Sequence, residues 1–367
     1  MRIALDVSSA VRPEATGVAI YIRQLVKALA RVDTSDAFTL LHRFSRLRHY
    51  GNFVRAPGSN FRTKLLLEGL HPFFGRQVDV FHGLDARLPG AWMKAKLVVT
   101  VHDIFSALQS TEFAPDGFRA LKAERYRDLI ARADRIIVVS EACRRDVLET
   151  LKADPARLRV VYEAAGEEFA PRPDEEVRAL RRKYGLEGPY VLYVGTLNKR
   201  KNVPAMIRAF AIAREKARSD AVLAIAGRVG YGGETIREAI AAAGPGAEGF
   251  VKLLGYVPNS ELAPLYGGAW GLLFATLYEG FGIPVVEAFS CGCPVIGGTI
   301  GSVPEIAGGA ALLADPKNVG EIAAQVGRLL TDEPLRGELR GKGFARAKEF
   351  SWEKTAEKTL AVYREVV

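Results

Sequence analysis

The segment Leu277-Tyr278-Glu279-Gly280-Phe281-Gly282-Ile283-Pro284-Val285-Val286-Glu287-Ala288 concentrates more chemistry than any other in the chain. An apolar strand ends near Leu277, Gly280 and Gly282 permit a tight turn with exposed amides, and Pro284 suits the first turn of a helix. Such a turn aims N–H groups and a helix N-terminus at one point, which is a site for phosphate. Glu279 falls in the loop and Glu287 within the helix, both near that point. A second cluster, Lys199-Arg200-Lys201, follows the apolar run Tyr190–Val194. Cations just past a strand's carboxyl end belong beside an anionic ligand in doubly wound sheets. Together the two segments predict a diphosphate site. His102 ends another apolar run, Leu97–Val101, and so stands at a strand's functional end.

Other chemistry is excluded by what is missing. No Asp-x-Asp occurs, so the usual carboxylate pair for a metal–diphosphate complex is absent and neither a metal nor a cofactor is expected. There is no Gly-x-Ser-x-Gly and no Walker loop. The literal dinucleotide fingerprint Gly244-Pro245-Gly246-Ala247-Glu248-Gly249 follows an alanine-rich helix and precedes a strand, the reverse of the required context, and reads as a loop. Cys143, Cys291 and Cys293 form no disulfide framework. Cys291-Gly292-Cys293 has no further ligands nearby and reads as small residues filling a helix C-terminus.

Apolar β-rich runs alternate with longer amphipathic ones along 367 residues, the pattern of parallel α/β construction in two domains. Strands are predicted at 3–7, 38–42, 78–82, 97–101, 135–139 and 160–163, with helices at 20–30 and 118–131 among them. The pattern breaks at Ala170-Pro171-Arg172-Pro173 and restarts with strands at 190–194, 222–226, 250–254, 272–275, 294–296 and 311–314. The predicted domains are 1–173 and 174–349. Ser351 caps a last helix, within 350–367.

The chain carries a formal charge of +9. Residues 43–76 hold seven Lys or Arg and one acid, Glu68, interleaved with Phe44, Phe53, Phe61, Phe73 and Phe74. The stretch suits an anionic membrane surface or a phosphate-bearing acceptor, or else a solvated basic loop; nucleic acid is not expected, because no binding motif accompanies the charge. No run of eighteen apolar residues occurs, and an acid at position 6 comes too early for a signal peptide, so a cytoplasmic protein is expected, touching the membrane at most peripherally.

Glu279-x7-Glu287 with Glu279-Gly280-Phe281-Gly282 resembles the signature of the retaining, GT-B-fold glycosyltransferase family 4. The likeness runs through nearly the whole chain. The segment from Tyr193 through Thr196 to Asn202 resembles the family's donor-phosphate loop, and Leu254-Gly255-Tyr256-Val257-Pro258, with Leu262 beyond, resembles the segment beside the nucleobase. Thr16-Gly17-Val18-Ala19 resembles its glycine-rich turn, with Ala19 where a second glycine is usual. Several roles are implied by the resemblance. Arg200 and Lys201 would bind the diphosphate, Glu279 and His102 would contact the sugar, and Glu287 would hold the ribose. Gly17 would approach the donor, and the last helix would cross back onto the first domain. Within the family the form Gly-Thr-Leu-x-x-Arg-Lys-Asn is similar to bacterial mannosyltransferases of surface polysaccharides, which implies GDP-mannose and a glycan or lipid-diphosphate-linked acceptor. A sugar-nucleotide epimerase of the same architecture is the rival reading; a non-catalytic binding protein would not need both glutamates and both cations.

Overall fold

The computed structural model describes residues 1–11, 17–67, 78–90, 93–108, 116–230, 235–244 and 246–367, without the side chains of 116–119. Two compact units are present, one of residues 1–163 with 351–367, the other of residues 164–350.

The first unit holds strands β1 (Arg2–Asp6), β2 (Ala37–Arg43), β3 (Phe61–Leu66), β4 (Val80–Gly83), β5 (Lys96–Val101), β6 (Arg135–Val138) and β7 (Leu158–Val160), with helices α1 (Gly17–Val32), α2 (Asp116–Arg132) and α3 (Glu141–Leu151). All pairings are parallel, in the order β3-β2-β1-β4-β5-β6-β7. A parallel sheet covered on both faces needs near-continuous apolar strands, and Ile3, Leu5, Phe38, Phe81, Val99 and Ile137 are buried accordingly.

The second unit holds α4 (Asp174–Lys183), β8 (Tyr190–Val194), α5 (Val203–Ala217), β9 (Val222–Ala226), α6 (Thr235–Ala242), α7 (Ala247–Phe250), β10 (Val251–Gly255), α8 (Asn259–Gly268), β11 (Gly271–Phe274), α9 (Ile283–Ser290), β12 (Val295–Gly298), α10 (Val303–Ala307), β13 (Leu312–Ala314), α11 (Val319–Thr331) and α12 (Glu333–Ala347). Its sheet is also wholly parallel, in the order β10-β9-β8-β11-β12-β13. In each sheet the strand order reverses once, between β1 and β4 and between β8 and β11. Loops at the carboxyl ends of those strands are therefore brought together, and ligands bind at such points.

Helix α13 (Trp352–Arg364), capped by Ser351, packs in the first unit. Its Trp352, Ala356, Leu360 and Tyr363 are buried, and Tyr21 of α1 meets Trp352 edge-on at 5.9 Å. Thr355 Oγ1 donates to the Tyr162 carbonyl at 2.7 Å. Tyr363 Oη lies 2.6 Å from His82 Nδ1, His82 Nε2 lies 2.8 Å from Thr100 Oγ1, and Thr100 Oγ1 lies 3.1 Å from Tyr21 Oη. Burial pushes the His82 pKa down to about 3, so the neutral ring sits within a chain of hydroxyls.

Three expectations need correction. The basic stretch contains an unpredicted edge strand, β3. Phe61 stacks on Phe38 at 4.5 Å and Phe53 on His42 at 3.8 Å, so neither belongs to a solvated loop. Arg62 and Lys64 obscured the alternation, as charged residues do on edge strands. Phe73 and Phe74 lie outside the described residues. The strand predicted at 160–163 is Leu158–Val160, because its register against β6 ends at Val138↔Val160. Residues 164–173, placed with the first domain from sequence, pack in the second unit, where Phe169 meets Tyr266 edge-on at 6.1 Å and Asn259 Nδ2 donates to Glu168 at 2.7 Å.

Candidate active site

The loop after β8 begins with Gly195 at φ 148° and exposed Thr196, then turns through the short 3₁₀ segment Lys199–Lys201 into α5. Asn202 at φ 59° closes that turn, and its Nδ2 donates to the carbonyls of Ala275 at 3.0 Å and Pro316 at 2.7 Å. Leu277 N donates to the Arg200 carbonyl at 2.9 Å. The loops after β8 and β11 are thus joined by one backbone bond and one from the Asn202 side chain, as their adjacency at the switch point allows.

The joining brings the predicted cations onto the predicted glutamate. Buried Lys201 Nζ lies 2.5 Å from Glu279 Oε1 and 5.4 Å from the centroid of the Phe274 ring. Arg200 Nη1 lies 3.6 Å from Glu279 Oε2 and donates to the Tyr278 carbonyl at 3.3 Å. Lys199, the third member of the cluster, is exposed. The Glu279–Gly282 turn is held from below: Ser302 Oγ donates to the Phe281 carbonyl at 2.7 Å. At Gly301, φ 75°, a side chain would meet the Glu279 carbonyl oxygen at 3.1 Å. Gly282, φ 96°, is the N-cap of α9 and offers no capping side chain; Pro284 has no N–H and the Val285 amide donates to the Gly282 carbonyl at 2.9 Å, so the Ile283 amide is the first-turn donor suited to an anion at the helix's positive end. Phe281 and Ile283 are buried beside it.

Glu287 is buried one turn into α9 and accepts from Tyr266 Oη of α8 at 3.0 Å. Burial pushes its carboxyl pKa up to about 8, against the opposing pull of that hydrogen bond. Glu279 and Glu287 have different partners: the first faces cations, the second a phenol. In the nucleobase-like segment Tyr256 is exposed, with the Arg228 guanidinium 4.5 Å above its ring, while the side chains of Val257 and Leu262 are buried. The second half of the 244–249 fingerprint, expected as a loop, lies in the single helical turn α7, which Gly246 starts and β10 follows, not in the strand-to-helix turn of a dinucleotide site; Pro245 is outside the described residues. Cys291 caps the C-terminus of α9, and both it and Cys293 are buried, as expected of filler residues.

In the first unit, Gly17 is the exposed first residue of α1. His102 follows β5. Its Nδ1 lies 2.9 Å from Glu163 Oε1 and its Nε2 lies 2.9 Å from the Leu84 carbonyl oxygen. A carboxyl oxygen at one ring nitrogen and a carbonyl oxygen at the other suit the imidazolium, which donates from both. Burial pulls the pKa down, but the hydrogen bond and charge of Glu163 outweigh it and hold it above the ordinary histidine value.

Sequence reasoning missed Tyr266, Ser302, Gly301 and the role of Glu163. A Gly-Ser pair before a short helix was the available signal for two of them; Tyr266 and Glu163 had none, because each acts on a residue distant in sequence.

Two parallel-sheet Rossmann-like units, and a cationic loop paired with a glutamate in the turn that leads into α9, are the features of a nucleotide-sugar glycosyltransferase of GT-B type. The profile described as Glycosyl transferases group 1 matches residues 176–346, and that described as Glycosyltransferase Family 4 matches residues 15–165. The chain belongs to this family of glycosyltransferases. It is 31% identical to the O-antigen chain mannosyltransferase B of Escherichia coli, over 95% of this chain and 96% of that one. With the serotype-specific mannosyltransferase WbdA of E. coli identity is 26%, over 84% of this chain and 39% of that one. Among solved structures, HepE of Anabaena in complex with UDP and glucose superposes with a TM-score of 0.78 at 15% identity, covering 100% of both chains. WaaG, a glycosyltransferase involved in lipopolysaccharide biosynthesis, gives 0.72 at 16% over 98% of both.

Proposed function

We propose that the enzyme transfers mannose from GDP-mannose to a glycan acceptor, free or carried on a lipid diphosphate, in the synthesis of a surface polysaccharide. The observation that carries the site reading is the Lys201–Glu279–Arg200 cluster, whose glutamate lies in the turn that leads into the N-terminus of α9. The likeness to O-antigen mannosyltransferase B supports the choice of sugar and product. The donor diphosphate would take the cations from Glu279, and the freed carboxylate would turn to the sugar. Arg200, Lys201, Thr196 and the amides of Gly280, Gly282 and Ile283 would meet the charge that grows on the diphosphate as the anomeric bond breaks. Glu287 would hold the ribose hydroxyls. Tyr256 would lie against the base, with Val257 and Leu262 shaping the floor beneath it and Phe281 packing under the phosphate turn. The family resemblance supports Gly17 as a donor contact and His102 as a sugar contact.

The chemistry proposed retains configuration. The acceptor oxygen bonds to the anomeric carbon on the face the diphosphate leaves, and its proton passes to a phosphate oxygen of the leaving group. No metal takes part in this scheme. Its support is the donor set: among the described residues no group of three or more His, Cys, Asp or Glu could hold one. No helix among the described residues is long and apolar enough to cross a membrane, and the enzyme is proposed to work in the cytoplasm, touching the membrane's inner face.

The test is transfer from GDP-mannose, UDP-glucose and ADP-glucose to a mannose-terminated oligosaccharide, with the new linkage read by NMR. The expected result is an α-mannoside from GDP-mannose only, formed at an unchanged rate in EDTA. A β-linked product overturns retention, and activity lost to EDTA but restored by manganese overturns the metal-free scheme.

A further inference from the structure

The corner of the first sheet formed by the carboxyl ends of β2 and β3 displays apolar side chains that the fold does not cover. β2 runs directly into a 3₁₀ segment, Phe44–Asn52. Phe44 is 53% exposed and Leu47 39%. With three residues per turn these two side chains stand one above the other. The backbone kinks at His49, and Tyr50, 72% exposed, follows with its ring 5.2 Å from that of Phe53. The edge strand completes the patch. Its register pairs Arg43 with Leu66, which sets Leu67, 36% exposed, beside the start of the 3₁₀ segment. Four large apolar side chains thus share one corner.

The charge along the segment itself has one sign. From Arg43 to Leu67 there are six Lys or Arg and no Asp or Glu. Asp6 neutralises Arg43 at 2.9 Å. Arg48, Arg55 and Arg62 are exposed and Arg46 and Lys64 half-buried on the same segment. Scattered exposed apolar residues are ordinary, but a contiguous set within a basic rim marks an interaction surface.

We propose that this corner is a membrane-docking element, with Phe44, Leu47, Tyr50 and Leu67 entering the headgroup region of an anionic bilayer and the surrounding arginines facing its phosphates. A bilayer fits better than a protein partner because the basic residues are spread along the segment with no acid among them, matching a continuous negative surface. Amphipathic elements bind such surfaces by buried apolar area together with attraction to anionic lipid. The inference rests only on the membrane part of the proposed function. It adds that the docking corner lies at the carboxyl edge of the sheet, the edge that also carries His102, so a lipid-borne acceptor would be delivered on the functional side.

Co-sedimentation with phosphatidylcholine vesicles, with and without phosphatidylglycerol, tests it. The wild type should pellet with anionic vesicles and stay in solution with neutral ones. Arg46→Gln/Arg48→Gln/Arg55→Gln should weaken binding at least tenfold at low salt, the gap closing as salt screens the charges. Phe44→Ser/Leu47→Ser/Tyr50→Ser should lose about tenfold at low and high salt alike, because apolar insertion is not screened. All three proteins should transfer sugar to a water-soluble acceptor equally, so a failure of docking is told apart from a failure of the transferase reading. Equal pelleting of the wild type with neutral and anionic vesicles, no pelleting with either, or wild-type binding by both variants overturns the proposal.

Discussion

Removing Lys201 separates the energetic role of the buried pair from its chemical one. Lys201 and Glu279 are both buried, with 2.5 Å between Nζ and Oε1. Deleting one partner of a buried pair costs about 3–5 kcal/mol, because the other charge is left without compensation. Arg200 stays 3.6 Å from the second oxygen and retains part of that compensation, which favours the low end, about 3 kcal/mol. The second unit spans residues 164–350. For a unit of this size each kcal/mol is about 2–4 °C, so Lys201→Ala should lower its melting temperature by about 6–12 °C, read by calorimetry. Lys201→Met/Glu279→Gln removes both charges and should recover most of the loss. Turnover should follow a different course. Loss of one preorganised donor to a developing negative charge lowers kcat about 10²–10³-fold, and the double variant should remain as slow as the single one. A Lys201→Ala protein that melts within about 2 °C of the wild type refutes the buried-pair argument. One with near-native kcat removes Lys201 from the leaving-group role.

Three further outcomes are expected. Tyr363→Phe leaves His82 Nδ1 without its hydroxyl partner in the core, which should cost about 1–3 kcal/mol in urea unfolding of the first unit. His102, whose folded pKa is raised, contributes stability that is fully present below the unfolded value near 6.5 and is lost as pH rises through the folded value; nitrogen NMR should place its titration above that of an ordinary histidine, and Glu163→Gln should lower it. Glu287 has a folded pKa near 8 against 4.5 unfolded, so stability is greatest below 4.5 and falls as pH rises toward 8. Glu287→Gln should therefore melt higher than the wild type at pH 8.5 and alike at pH 5, yet show a raised donor KM with kcat comparatively spared.

In the structure described here the Glu279 carboxylate lies against both cations of the proposed diphosphate site, one negative charge facing two positive ones. Under the proposed function an entering diphosphate would compete with that carboxylate for Arg200 and Lys201.

Local physics was legible in the sequence. The apolar runs of β8 and β11, the glycine pair before Pro284, the Ser351 cap and the cations after Val194 are each decided by neighbouring residues, and each stands where the residues predict. Harder were the features in which two signals oppose each other: β3 was hidden because its arginine and lysine face solvent at a sheet edge, so charge masked alternation. Beyond reach were the choices made between distant segments. Lys199, Arg200 and Lys201 are equivalent in sequence, and only the reversal of strand order between β8 and β11 brings Lys201 onto a carboxylate 78 residues away while leaving Lys199 in water. The same holds for His102 with Glu163, 61 residues apart, and for His82 with Tyr363, 281 apart. A residue's type and spacing fix what bonds it can make; burial and strand order, which depend on the whole chain's packing, decide which of those bonds exist and which groups must carry charge without water.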